Sequence, residues 1–171
     1  MRPLLLLALC ASVAHAQPER VHRLSSAPLV LTLPADFETA GETAIDARTS
    51  VQVFSRIGTD DGPGPNTYVV VETHRGMSAL KRFLFRRGVG IQRQTPSVAF
   101  DRIDAERLPL PARLAETVGA AFVATDTPDR ASAGLVVRGC DGEVCYAVAA
   151  QGPGTDAFAV APLLAGLALT D

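Results

Sequence analysis

Cys140 and Cys145 carry the most reactive side chains outside the extreme N-terminus. They stand in Ser132–Gly152, SAGLVVRGCDGEVCYAVAAQG, separated by Asp141-Gly142-Glu143-Val144. Two thiols so placed form either a structural bridge or a redox pair. Oxidoreductases use a two-residue CxxC spacing, which four intervening residues do not resemble. The apolar runs Leu135-Val136-Val137 and Ala147-Val148-Ala149-Ala150 read as the arms of a β-hairpin around the pair. A four-residue loop over Asp141–Val144 sets Cys140 opposite Cys145. A two-residue Asp141-Gly142 turn instead sets Cys140 opposite Glu143 and Cys145 opposite Arg138. Once Cys10 is set aside with the N-terminal segment, the remaining even count of two favours the bridge in an oxidising compartment. Closing so short a loop contributes about 2 kcal/mol.

The compartment is read from the N-terminus. Met1-Arg2 is a short positive start, Leu4–Val13 is apolar, and Ala14-His15-Ala16 is a small-x-small site. That layout predicts a secretory signal peptide over residues 1–16, cleaved after Ala16. The apolar run is too short to span a bilayer, which takes about 20 residues. Cys10 follows Leu9 rather than a small residue, so a lipidated cysteine is not expected. The chain is expected in a periplasm or outside the cell, with no transmembrane segment after cleavage.

Other catalytic sets are missing. Beyond the signal, histidine is confined to His22 and His74, too few for a zinc site of several His and Cys. A Ser-His-Asp arrangement would depend on His74, and no G-x-S-x-G elbow is present. Asp60, Asp61 and Asn66 offer hard oxygen ligands but lack the alternating spacing and closing Glu of a calcium loop. Glu72, Asp101, Asp104 and Glu106 leave open a carboxylate-only hydrolase, although no spacing points to one. Neither a metal nor a cofactor is expected.

One local charge anomaly remains. The formal net charge is −2, which excludes a bulk nucleic-acid binder, yet Lys81, Arg82, Arg86 and Arg87 are clustered, with Arg75 and Arg93 nearby. The cluster is either a solvated helix face or a surface for an anionic partner. Gly88-Val-Gly90 does not continue into a phosphate loop. Lys81 is the single lysine among the basic residues, a bias that reads as GC-rich bacterial coding.

These residues need elements to hold them. Residues 17–27 are polar and read as a flexible leader. Pro28–Pro34 is a proline-bounded strand, which suits an edge or a strand start, and Asp36–Asp46 reads as a loop. Residues 48–57 and 67–73 alternate as two strands joined by the turn-rich stretch 58–66. Met77, Leu80, Phe83 and Leu84 share one stripe of a helix that ends before Gly88. Ser97–Ile103 reads as a strand. Residues 112–124 read either as a helical turn and a strand or as one helix. Thr155-Asp156 caps an expected terminal helix over Ala157–Leu169, kinked or restarted at Pro162. With 47% hydrophobic residues but no Trp, the core must be mainly Leu, Val and Ala.

This order of elements, with Leu33-Pro34 and Phe37 at the first strand's end, resembles the PsbP-like and DcrB-like α/β proteins. The resemblance spans about residues 28–169 and implies a lumenal or periplasmic accessory role without catalysis. It carries over no site residue, and the absent lipobox departs from the DcrB-like pattern. The expectation is a single α+β domain over 28–171, an antiparallel sheet packed by two or three helices. Its expected work is non-catalytic binding of a protein or envelope component. The rival readings are a periplasmic immunity or inhibitor protein and a carboxylate-dependent hydrolase.

Overall fold

Strand β5 (Thr67–Arg75) shows in miniature how the chain is built. Thr67, Val69, Val71 and Thr73 are buried, while Tyr68, Val70, Glu72 and His74 alternate onto the opposite face. In this computed structural model the described residues are 18–57, 66–87, 98–103, 117–123 and 131–170, with Leu108, Leu110 and Leu114. The expected signal peptide lies outside them, as do Asp60, Asp61, Asp104, Glu106, Gly88, Gly90 and Arg93.

Two antiparallel sheets form. The larger orders β3 (Glu38–Ala44), β4 (Thr49–Arg56), β5, β9 (Val144–Pro153), β8 (Ser132–Asp141), β7 (Thr117–Val123) and β6 (Val98–Ile103). The chain meanders through β3, β4 and β5, then leaves through α1 (Ala79–Arg86) to the far edge. It returns through β6, β7 and β8 and lays β9 beside β5. The smaller sheet sets β2 (Leu29–Pro34) between β1 (Glu19–Arg23) and β10 (Leu167–Leu169).

The sheets meet in a Leu- and Val-rich core. Leu29, Leu31 and Leu33 of β2 share one buried cluster with Phe54, Val69, Val71, Val137 and Val148 of the large sheet. Leu163, Leu164 and Val160 close its end, supplied by a 3-10 turn (Ala157–Val160) and α2 (Ala161–Ala165). At about 25 cal/mol per Å² of apolar surface, this burial is the main term that holds the sheets together.

Several expectations change. The antiparallel sheet is present, but the helical layer is only α1, the 3-10 turn and the five-residue α2, so the architecture is mainly β. Residues expected as a leader contain β1, paired from Glu19↔Pro34 to Arg23↔Val30. Of the two placements the prolines allow, β2 is not an edge but central in its sheet, with Pro28 just before its start and Pro34 at its last position, where no interior ladder donor is lost. The expected loop over 36–46 contains the edge strand β3, which bulges between Thr39 and Glu42 where Gly41 takes φ +89°. Of the two readings of residues 112–124, the one with a strand holds over Thr117–Val123.

The terminal helix is shortened too. Asp156 Oδ1 accepts from Phe158 N at 2.9 Å as the expected cap, and Pro162 opens α2 at a position that needs no donor. Gly166 then lets the backbone pass against Thr32, whose N–H donates to the Gly166 carbonyl at 2.9 Å, and β10 follows. No helix among the described residues is long and apolar enough to cross a membrane.

Candidate functional site

Everything near the candidate residues depends on the hairpin β8–β9. Its turn is Gly142-Glu143, tighter than the four-residue loop and shifted by one from an Asp141-Gly142 turn. Gly142 takes φ +56° at the first turn position, where a side chain is strained. Asp141 pairs Val144, Cys140 pairs Cys145, and the two sulfurs are bonded. Cys145 lies against Ala147 and Phe85 in a small buried cluster that Met77 and Cys140 adjoin. The bridge thus lies in the floor on which α1 rests.

α1 begins at Ser78, whose Oγ accepts from Lys81 N at 3.3 Å. Phe85, 9% exposed, faces the sheet, whereas Leu80 is 68%, Phe83 52% and Leu84 38% exposed. The apolar stripe therefore points outward. Helical spacing shows that these residues share a face but not which side the sheet covers. The covered side bears half-buried Arg82 and Arg86, and Arg82 Nη1 donates to the Met77 carbonyl at 3.3 Å. Lys81 and Arg87 are exposed, with the Arg87 guanidinium 5.2 Å from the Phe83 ring centroid. The four predicted basic residues are thus divided between two sides of one helix.

Beneath α1 lies a polar group that spacing along the chain does not reveal. Glu72 faces Ala147 across β5–β9, and Ala147 faces Arg138 across β9–β8. His74, two residues from Glu72 on the same face, pairs its Nε2 with Glu72 Oε1 at 2.9 Å. Its Nδ1 lies 3.4 Å from Thr49 Oγ1, and the tautomer sets which of the two donates. The hydrogen bond from His74 foremost, with the charges of His74 and Arg138, holds Glu72 below the usual carboxylate range against the opposing effect of burial.

Arg138 is 7% exposed and its Nε has no hydrogen-bond partner among the described residues. Burial works against its charge and Glu72 works for it. Its guanidinium lies 4.6 Å from the Phe85 centroid, and the His74 ring meets the same Phe85 edge-on at 5.3 Å. Phe85 is therefore held between Arg138 and His74. This arrangement fixes a helix on a sheet.

The register does not bring Asp101 to Glu72, while Asp104 and Glu106 lie outside the described residues. Asp101 sits on β6, four strands from β5, or roughly 19 Å along the sheet at the usual spacing. A second polar seam joins the sheets: Arg75 donates to the Ser26 carbonyl at 2.8 and 3.2 Å, and Ser26 Oγ to Thr73 Oγ1 at 3.1 Å. Ser25 Oγ donates to Glu42 beside it. Burial would raise the Glu42 pKa, but hydrogen bonds from Ser25, Ser26 and Ser50 lower it overall.

Compared with family models, curated proteins and solved structures, the chain matches none of them. What can be said of its function therefore comes from its own residues.

Proposed function

We propose that the chain is an exported, non-catalytic binding or accessory protein of the bacterial envelope that docks a partner protein through the outward side of α1. One observation carries the reading: Leu80, Phe83 and Leu84 stand exposed on one helix face with Lys81 and Arg87 beside them. Burying such side chains in a partner is favourable by about 1.5–3 kcal/mol each. Anchors at i, i+3 and i+4 are the pattern by which a helix enters an apolar groove. The flanking cations favour a groove with acidic edges. An eight-residue helix is only about 12 Å long, which suits a protein groove better than a lipid surface.

The surface continues across the sheet. Val53, Val70, Ala149 and Val136 align across four strands on the face that carries α1, and all are exposed or half-buried. The resemblance to PsbP-like and DcrB-like proteins supports the same accessory reading, as do the signal-like N-terminus and the bridge. The test is affinity capture from envelope extract, comparing the wild-type protein with Leu80→Asp, Phe83→Asp and Arg87→Glu. These positions are exposed, so circular dichroism should show an unchanged fold. Partners held by wild type should be lost from the Asp variants and should become more salt-sensitive with Arg87→Glu. Identical partner sets in all four samples would refute the docking surface.

A further inference from the structure

We infer that the groove between residues 46–49, the end of β5 and the start of α1 binds a phosphomonoester. The groove encloses about 510 Å³, within the range of small-molecule sites. Arg48, Arg75 and Lys81 line it, and none of them makes an ion pair with a described residue. Gly76, at φ +63°, turns the chain beneath them, and the Arg48 side chain lies over it, 3.8 Å from where a Cβ would stand. Arg75 is already positioned: Nε and Nη2 donate to the Ser25 and Ser26 carbonyls, which leaves Nη1 without a described partner. The guanidinium is held rigid before any ligand arrives, which lowers the entropy cost of binding.

The charge count selects the ligand class. Asp46 is the one carboxylate in the lining, and it is turned to the backbone, accepting from Arg48 N at 2.7 Å and Thr49 N at 2.8 Å. Three cations face one carboxylate in the lining, and although Glu42 behind Arg75 offsets part of that charge, the groove keeps a net positive charge that favours a phosphomonoester near neutral pH. Two guanidinium groups and an ammonium suit tetrahedral phosphate oxygens, with Arg able to bind them bidentately. The Ser78 hydroxyl adds a neutral donor, and Met77 provides an apolar wall for what the phosphate carries. The phosphate could belong to a soluble metabolite or to a lipid headgroup.

The groove lies at the start of α1, apart from the outward Phe83 surface, so this inference does not rest on the docking proposal. The experiment titrates the full chain with glycerol 3-phosphate and with glycerol. In parallel it sediments the chain with phosphatidylcholine vesicles with and without phosphatidic acid. Saturable binding of glycerol 3-phosphate supports the site with a soluble ligand, and phosphatidic-acid-dependent sedimentation supports it with a headgroup. In either arm Arg48→Ala and Lys81→Ala should each weaken binding roughly tenfold. Phe83→Asp should leave it unchanged. Absence of phosphate-dependent binding in both arms overturns the inference, and so does undiminished binding by the Arg48→Ala/Lys81→Ala double variant.

Discussion

Arg138 places its guanidinium 4.6 Å from the centroid of Phe85, so the one buried aromatic of α1 is bound to the middle of the β8–β9 hairpin. Phe85→Ala removes the ring contact and leaves Arg138 buried without it. The expected loss is about 3 kcal/mol in urea unfolding. Phe85→Leu keeps apolar volume over Cys145 and Ala147 but loses the cation–π contact, and should lose about half as much. Equal losses from the two variants would mean that the stack contributes nothing.

The bridge beneath that ring gives a second test. Cys140→Ser/Cys145→Ser should destabilise the protein by about 2 kcal/mol. Because Cys145 packs against Phe85, amide protection should fall in α1 more than in the distant β1–β2 pair. Hydrogen exchange reads this directly, and a uniform fall across both regions would disconnect the bridge from the helix.

The strands that were legible in the sequence are those with a strong apolar pattern of their own. TYVVVET reads as central β5, and the two arms about the cysteines read as β8 and β9. β1 and β3 were not legible, since ERVHR and ETAGETA are polar edge strands whose state comes from pairing to β2 and β4. The same holds for the site. Lys81 to Arg87 stood out as a local cluster, but Glu72, His74 and Arg138 meet only through registers across β5, β9 and β8. The side from which α1 is covered is likewise a tertiary fact. Periodicity grouped Leu80, Phe83 and Leu84 on one face and left open which side the sheet covers.

Glu72 makes acid stability measurable. Its folded pKa is held below the ordinary value of 4.5, so it stabilises the fold fully above that pH. The stabilisation is lost as pH falls through the lower, folded pKa. Glu72→Gln should therefore be less stable than wild type near neutrality and converge with it in strong acid. Parallel stability curves across that range would rule out the linkage.

His22 contributes at higher pH. Burial foremost, with the charge of Arg20, lowers its pKa from 6.5; its ring meets Phe54 at 4.8 Å and Nε2 has no described partner. The folded state thus favours the neutral ring. Stability should be full above about pH 6.5 and fall as the pH drops below it, because the unfolded chain takes up the proton first. His22→Phe keeps the aromatic contact and should flatten the profile between neutral and mildly acidic pH. A variant that keeps the wild-type slope would place the dependence elsewhere.

Beside the close approach of Gly134 to the Ala150 carbonyl, β8 has a second one at Gly139. A Cβ there would stand 2.4 Å from the Leu114 carbonyl oxygen and 2.6 Å from the Tyr146 hydroxyl oxygen. Those two oxygens are joined by a buried hydrogen bond of 2.7 Å that ties the hairpin to the segment before β7. Gly139→Ala must displace that pairing, with an expected cost of about 3 kcal/mol. Tyr146→Phe removes the hydroxyl and leaves the Leu114 carbonyl without that donor, costing about 1–3 kcal/mol alone. In the double variant the alanine no longer meets the hydroxyl but still meets the carbonyl and the ring. The combined loss should therefore be smaller than the sum of the two but larger than Tyr146→Phe alone. Simple additivity in urea unfolding would show that Gly139 and Tyr146 do not share this space.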